Sequence, residues 1–267
     1  MNKKSKEKLP VLANTWLNEK HFVLTLQLPS GYPEIVPGQF VELLVEGSPD
    51  TFLRRPISVH DVDAEKLTLD MMVKIVGAGT AKLAKLKAGD TVDVVYPLGH
   101  GFSLARAGEK VLLAGGGCGV APMLYLSRML KRLGADCYVA IGGKTSADIL
   151  RPEVYTNLAQ VAILTEDGSL GDKGMITAHR WFGEELTQFS KVYCCGPEPM
   201  MKAIGKLASE KGVHCEVSLE NMMACGIGSC LCCTVSTHEG NVRACMEGPV
   251  FEVNELKDWN HNPVCHG

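Results

Sequence analysis

Aromatic residues are scarce in this chain, with Phe, Trp and Tyr together making up 6%. Long unbroken apolar runs are missing altogether. The longest apolar stretch, Val111 to Leu126, is interrupted by four glycines and a proline, which excludes a membrane-crossing helix. Charge of one sign is lacking too. A net charge of −3 leaves no basic field for nucleic acid or for an anionic membrane surface. Lys3, Lys4, Lys6 and Lys8 crowd the N-terminus, but the apolar patch that follows, Leu9 to Ala13, is too short for the core of a secretion signal. No Asp/His/Ser arrangement for acid–base work on an organic substrate stands out, so no residue is assigned such a catalytic role. These absences point to a cytoplasmic chain without a membrane or nucleic-acid partner.

Glycine and cysteine are plentiful by contrast, at 28 and 11 residues. Four of the cysteines fall in one register. Cys225-Gly-Ile-Gly-Ser-Cys230-Leu-Cys232-Cys233 is followed, after eleven further residues, by Cys245. Thiols at x4 and x2 spacing with a remote fourth match the plant-type ligand pattern for a [2Fe-2S] cluster. Two irons bridged by two sulfides need two thiolates each, so one loop must wrap a flat rhomb. Gly226, Gly228 and Ser229 carry little side chain, which lets backbone N–H groups approach the sulfides. A structural zinc site favours short paired knuckles, and the glycine-rich x4 loop suits it poorly. A disulfide framework is disfavoured in a chain long enough to bury a core and without an export signal. The metal ligands expected are therefore Cys225, Cys230, Cys233 and Cys245, with Cys232 as a spare whose sulfur points away.

From Pro10 to about Leu98 the pattern is of short strands separated by turns. Phe22 to Leu28, Phe40 to Val45, Leu67 to Val73 and Thr91 to Tyr96 read as strands, and turns stand at Pro29-Ser-Gly31, Pro37-Gly38, Gly47-Ser-Pro49 and Gly89-Asp90. Strands without long intervening helices predict a small antiparallel barrel. One short helix interrupts them, Thr80 to Lys87, preceded by Gly77-Ala-Gly79. Two features here suit a phosphate. They are the helix start at Gly79-Thr80 and the guanidinium fork of Arg54-Arg55, just after a strand and before Pro56-Ile57-Ser58.

From Lys110 the pattern changes to strand, loop and helix, which predicts a doubly wound parallel sheet. Val111 to Ala114, Cys137 to Ile141, Val161 to Leu164, Val192 to Cys195 and Cys215 to Leu219 are the expected strands. Pro122 to Leu133, Ala147 to Leu158, Gly174 to Phe182 and Met200 to Lys211 are the expected helices. Gly115-Gly116-Gly117-Cys118-Gly119 opens the first helix, where backbone can approach a pyrophosphate closely. Lys144 offers a lone positive charge for a 2′-phosphate, with no Arg nearby. Glu166-Asp167-Gly168 is placed to accept from ribose hydroxyls, so NAD(H) is expected rather than NADP(H).

Taken together, Arg55-Pro56-Ile57-Ser58, Gly79-Thr80, Gly-Gly-Gly-x-Gly-x-Ala-Pro and Cys195-Gly196-Pro197-x-x-Met resemble the FAD and NAD(P) motifs of the ferredoxin-NADP reductase-like flavoprotein superfamily. The resemblance implies that Arg55 holds the FAD pyrophosphate, that Ser58 faces flavin N5, and that Gly79-Thr80 supports the phosphates. Ile57 stands where Tyr is common. Met72, Val73 and Lys74 lie on the strand that lines the ribose and adenine side. The resemblance also puts NAD on Gly115, Gly116, Gly117, Gly119, Cys195, Gly196 and Pro197, with Cys195 beside the nicotinamide.

Cys245-Met-Glu-Gly-Pro-Val-Phe251 is similar to the closing segment of one subgroup, the electron-transfer subunits of class 1B dihydroorotate dehydrogenase. The implied order is an FAD-binding barrel over residues 1–106, an NAD-binding α/β domain over 107–219, and a [2Fe-2S] segment with tail over 220–267. The implied function is transfer of electrons from an FMN-containing dihydroorotate dehydrogenase partner, through the cluster and FAD, to NAD+. This places the chain in pyrimidine biosynthesis, within a heterotetramer. The alternative is a flavin and iron–sulfur subunit of another NAD(P)H complex, of the sulfhydrogenase or NADH-dependent ferredoxin:NADP reductase type. A metal-binding scaffold without flavin is a rival of another class. The His261-to-His266 tail with Cys265 offers side chains for a metal but is read as a disordered end.

Overall fold

The computed structural model describes residues 3–47, 51–257 and 259. The tail at 261–266 and part of the Gly47-Ser-Pro49 turn lie outside them. The first half is one curled antiparallel sheet of seven strands: β1 (Ser5–Asn18), β2 (His21–Gln27), β3 (Phe40–Leu43), β4 (Arg55–Ser58), β5 (Asp61–Asp63), β6 (Thr68–Lys74) and β7 (Thr91–Leu98), in the order β4-β3-β7-β1-β2-β6-β5. Its interior is filled from alternate strand positions, among them Leu24, Leu26, Val41, Leu43, Leu69, Met71 and Val94.

The Lys-rich start, which reads as a prelude to the barrel, is part of β1. Residues 5–10 of β1 pair with β7 and residues from Val11 onward pair with β2. Pro10 sits at the change of partner, where a missing N–H interrupts the ladder least. The Arg55–Ser58 stretch is likewise a strand in its own right, β4, paired with β3 so that Glu42 faces Pro56. The expected helix after Gly79 begins and ends earlier, as α1 (Ala78–Leu83).

The second half is the expected doubly wound sheet. Its strands are β8 (Lys110–Gly116), β9 (Asp136–Gly143), β10 (Gln160–Thr165), β11 (Asp172–Lys173), β12 (Lys191–Cys195) and β13 (His214–Ser218), and the helices are α2 (Met123–Arg132) and α3 (Glu198–Glu210). β8 through β10, β12 and β13 run parallel in the order β10-β9-β8-β12-β13, so the order reverses between β8 and β12. Successive β8 side chains point to opposite faces. Val111 and Leu113 pack with Met123, Leu126 and Leu130 of α2, whereas Leu112 and Ala114 pack with Met201, Ile204 and Ala208 of α3.

Two expected helices do not form. Residues 147–158 make two short 3-10 turns, Ser146–Asp148 and Pro152–Tyr155. Pro152 cannot continue a helix, and Arg151 before it takes a left-handed φ of 51°. Residues 174–182 also make two 3-10 turns, Ile176–Ala178 and Arg180–Phe182, separated by an extended His179. There the rings decide: Trp181 packs edge-on against Tyr138, with centroids 5.2 Å apart, and Phe182 is fully buried. Filling that layer outweighs the weak helical preference of the segment.

The last part carries a two-stranded ribbon, β14 (Thr234–Thr237) and β15 (Gly240–Arg243), and then β16 (Val250–Glu252). β16 adds antiparallel to β13, so the end of the cysteine-rich segment extends the second sheet. Its cysteines Cys233 and Cys245 share a core with Phe40 and Leu98 of the barrel and Phe251. The cysteine-rich segment is thereby packed against both halves. Among the described residues no helix is long and apolar enough to cross a membrane.

Candidate functional site: two cavities and a cysteine loop

A cavity of about 340 Å³ opens between the barrel and the second sheet. It is lined by Arg55, Pro56, Ile57, Ser58, Met72, Lys74 and Thr80 from the barrel, Ala121 and Pro122 from the start of α2, and Cys195 from the end of β12. The two arginines divide their duties. Arg54 is spent on structure: it pairs with Asp93 at 2.7 Å and donates to the carbonyls of Glu42 and Asp93. Arg55 donates only to the Arg54 carbonyl, at 3.2 Å, and makes no ion pair among the described residues. Its guanidinium lies against Gly79, where a Cβ would collide with Nε. A half-buried cation with an uncommitted fork, set beside the start of α1, suits a pyrophosphate.

The Thr80 hydroxyl is used locally, accepting from the N–H groups of Val76 and Gly77. Val73 alternates away from its neighbours Met72 and Lys74, and its side chain sits in the barrel core at 1% exposure. A mostly apolar lining that also carries the Arg55 guanidinium suits FAD.

A second cavity, of about 550 Å³, lies at the carboxyl ends of β8, β9 and β12. Gly116, Gly117, Gly119, Gly196 and Pro197 line it. Gly115 lies beneath, packed on Val120. This is the switch point of the sheet, where such folds bind dinucleotides. The bare backbone of the glycine loop leaves the pyrophosphate room. Gly119 also packs so closely that a Cβ would meet the Cys195 carbonyl oxygen and lie 2.5 Å from the Gly196 nitrogen. Gly119→Ala is therefore expected to force the two loops apart and to raise the KM for NADH about tenfold or more, with FAD content unchanged. Steady-state kinetics beside a flavin assay check it, and an unchanged KM contradicts it.

Glu166 and Lys144 line the second cavity. Asp167 is occupied, accepting from the N–H and the hydroxyl of Ser169 at 2.9 and 2.7 Å.

The two cavities share Lys74, Cys118 and Glu220. Cys195 faces the first cavity, not the second. Burial pushes its thiol far above the ordinary range, and Glu220 and Cys118 push the same way. Cys118 rises to about 12, by burial first and Glu220 second. Both are thus neutral thiols. Desolvation in the cavity wall raises Glu220, while Lys74 opposes it. The shared wall of Lys74, Cys118 and Glu220 is where the two cavities meet. The motif pattern shows Cys195 but misses Glu220, Asn221, Met223 and Pro249, which enter the first cavity from the cysteine-rich segment.

That segment pairs its thiols. The Cys225 thiol interacts with that of Cys230, and the Cys245 thiol with that of Cys233. The backbone supplies donors as well. Ser229 N–H donates to Cys225 Sγ at 3.3 Å, and Cys245 N–H donates to Cys233 Sγ at 3.4 Å. Burial raises the Cys225 thiol, but N–H groups of Ile227, Cys230 and Ser229 outweigh it and bring the thiol down to about 6. Among the described residues no three His, Cys, Asp or Glu side chains converge on one ion-sized point. Two pairs of thiols, each with an amide donor, suit the two irons of a [2Fe-2S] cluster. Cys232 is exposed and enters neither pair.

One further residue joins the barrel to this loop. Glu42, on the same face of β3 as Phe40, is 1% exposed and neither carboxyl oxygen has a protein partner among the described residues. A Cβ on Gly226 would lie 2.7 Å from its Oε1. Burial raises the carboxyl to about 7; Arg54 opposes this, Cys225 adds to it and Arg55 opposes it. A lone acid in an otherwise apolar strand is the only hint the sequence offers of this contact.

Comparison with known proteins gives a consistent answer. The profile of the iron–sulfur cluster binding domain of dihydroorotate dehydrogenase B matches residues 220–257, and that of an oxidoreductase FAD-binding domain matches residues 8–102. The chain is 44% identical to the dihydroorotate dehydrogenase B (NAD+) electron transfer subunit of Clostridium acetobutylicum, over 84% of this chain and 87% of that one. It is 37% identical to the subunit of the same name from Caldanaerobacter subterraneus, over 94% and 98%. Among solved structures, an NADH-dependent reduced ferredoxin-NADP oxidoreductase superposes with a TM-score of 0.84 at 31% identity, covering 96% of this chain and 91% of that one. The ferredoxin reductase of carbazole 1,9a-dioxygenase, at 23% identity and a TM-score of 0.67 over 79% of this chain and 67% of that one, shares the fold.

Proposed function

The chain belongs to the family of dihydroorotate dehydrogenase B electron-transfer subunits, and on that footing we propose how its residues carry electrons between a catalytic partner subunit and NAD+. It is an oxidoreductase subunit that uses FAD, an iron–sulfur cluster and NAD, and its role falls in pyrimidine biosynthesis. When bound, FAD exchanges a hydride with the nicotinamide and exchanges single electrons with the cluster, which joins two-electron to one-electron chemistry.

The residues supply binding and geometry. Arg55 holds the FAD pyrophosphate, and Ser58 and Ile57 lie along the flavin ring. The glycine loop at 115–119 and Gly196-Pro197 hold the NAD pyrophosphate at the end of the sheet. Cys195 and Cys118, both neutral, would form part of the wall beside the flavin and the nicotinamide. Cys225, Cys230, Cys233 and Cys245 would hold the iron–sulfur cluster. The reading assigns residues 1–106 to FAD, 107–219 to NAD and 220–267 to the cluster. Oxidation of dihydroorotate belongs to an FMN-containing partner, and the assembly is a heterotetramer.

The observation that carries this reading is the shared wall of Lys74, Cys118 and Glu220 between the two cavities, with Asn221 and Met223, just before Cys225 in the chain, lining the first of them. The likeness to an NADH-dependent ferredoxin-NADP oxidoreductase keeps that type as the second reading. The test is made on the isolated chain with an artificial electron acceptor. NADH-dependent reduction of the acceptor supports the flavin reading, and a chain that binds iron but lacks flavin and this activity contradicts it. Co-purification with an FMN protein that oxidises dihydroorotate separates the two readings.

A further inference from the structure

His60 is fully buried between β4 and β5, at 0% exposure, and holds the start of α2 in two ways. Its backbone carbonyl accepts from the Tyr125 N–H at 3.1 Å, one of the donors that the first turn of a helix leaves free. Its Nδ1 lies 2.6 Å from the Ala121 carbonyl oxygen, and its Nε2 lies 3.2 Å from Nη1 of Arg151. These partners fix the proton. A carbonyl only accepts and a guanidinium only donates, so Nδ1 carries the hydrogen and Nε2 is the acceptor. The imidazole is neutral, in keeping with a pKa brought down to about 4 by burial first.

Ala121 and Pro122, which these bonds hold, form a wall of the first cavity, while Gly117 to Gly119 just before them line the second. The residues around His60 brace it from both halves. Arg128 of α2 pairs with Asp61 at 3.0 Å, and the backbone carbonyl of Asp70 in β6 accepts from the His60 N–H. Arg151 is held in a left-handed backbone, with φ 51°, that a side-chain-bearing residue rarely adopts. No sequence motif marks His60.

We propose that His60, as the Nδ1–H tautomer, is a positioning residue that sets the glycine loop against the barrel and thereby fixes how closely the nicotinamide approaches the flavin. The proposal rests on the FAD and NAD reading above. A loop displaced by an ångström costs hydride transfer far more than it costs dinucleotide binding, because transfer needs near-contact of the reacting atoms.

Three variants of the full chain separate the bonds. His60→Leu loses both, His60→Asn keeps a donor for the Ala121 carbonyl, and His60→Gln keeps an acceptor for Arg151. Three readouts apply: the stopped-flow rate of flavin reduction by NADH, the long-wavelength nicotinamide–flavin charge-transfer band, and amide hydrogen exchange over residues 117–126. His60→Leu is expected to slow flavin reduction about tenfold or more with the KM for NADH within about twofold, to weaken the band and to speed exchange in that segment. His60→Asn is expected to restore most of all three.

If His60→Leu does not fold, the comparison of Asn with Gln decides. A faster, better protected Asn variant supports the proposal, and equal behaviour overturns it. Wild-type rates and exchange in His60→Leu, or an Asn variant no better than Leu, also overturn it. If the wild-type chain itself shows no reduction by NADH, the functional reading fails, whereas hydrogen exchange still reports on the His60 contact.

Discussion

Replacing Cys230 with serine is expected to abolish the cluster while NADH still reduces the flavin. Cys230 is exposed and is the partner of Cys225. The cluster depends on these two thiols, and a serine hydroxyl, which stays protonated at neutral pH, replaces a thiolate poorly. The flavin and NAD cavities are lined mainly by the barrel and the second sheet, and no cysteine of the loop lines either. Iron analysis and visible spectra of the variant, beside a stopped-flow measurement of flavin reduction, check this. Simultaneous loss of flavin reduction contradicts the independence of the two sites. A cluster retained at full occupancy would bring Cys232 into the ligand set.

The second large effect is at Arg55. Arg55→Ala is expected to weaken FAD retention roughly ten- to a hundredfold, since hydrogen bonds to a charged group contribute about 1.5–3 kcal/mol and each 1.4 kcal/mol is a factor of ten. Thermal stability of the flavin-free chain should change little, because Arg55 makes no ion pair among the described residues. Arg54→Ala provides the opposite control. It leaves Asp93, with 12% side-chain exposure, without its closest cation, so it should lower stability more than it lowers FAD affinity. Arg55→Lys, which keeps the charge but not the fork, should fall between wild type and alanine. Flavin content after gel filtration and a titration of the apo chain with FAD give the numbers. Undiminished FAD binding in Arg55→Ala contradicts the assignment.

Much of this architecture is legible in local sequence pattern. Cysteine spacing names a two-iron loop because ligand register is a short-range property. The glycine loop after β8 reads as a dinucleotide turn because strand, glycines and Pro122 stand in one stretch. Patterning fails where distant packing decides. Residues 147–158 and 174–182 look helical until Pro152 and the burial of Trp181 are placed in three dimensions. β1 hides because its lysines occupy the outward face of a strand whose inward face shows only Leu9 and Val11. Glu42 and His60 cannot be found at all by motif, since each matters for what lies across a contact, Gly226 in one case and Ala121 in the other. Val73 shows the limit of carrying a motif over by position: strand alternation sends its side chain to the core between two neighbours that line the cavity.

The relay itself is tested most directly by titrating the anaerobically purified chain with NADH, following visible absorption and electron paramagnetic resonance, on a sample assayed for FAD, iron and acid-labile sulfide. The account predicts about one FAD, two irons and two acid-labile sulfides per chain, and delivery of electrons from NADH to both the flavin and the cluster. A carefully reconstituted chain that holds no iron and sulfide, or a cluster that stays oxidised while the flavin is reduced by a large excess of NADH, would contradict it.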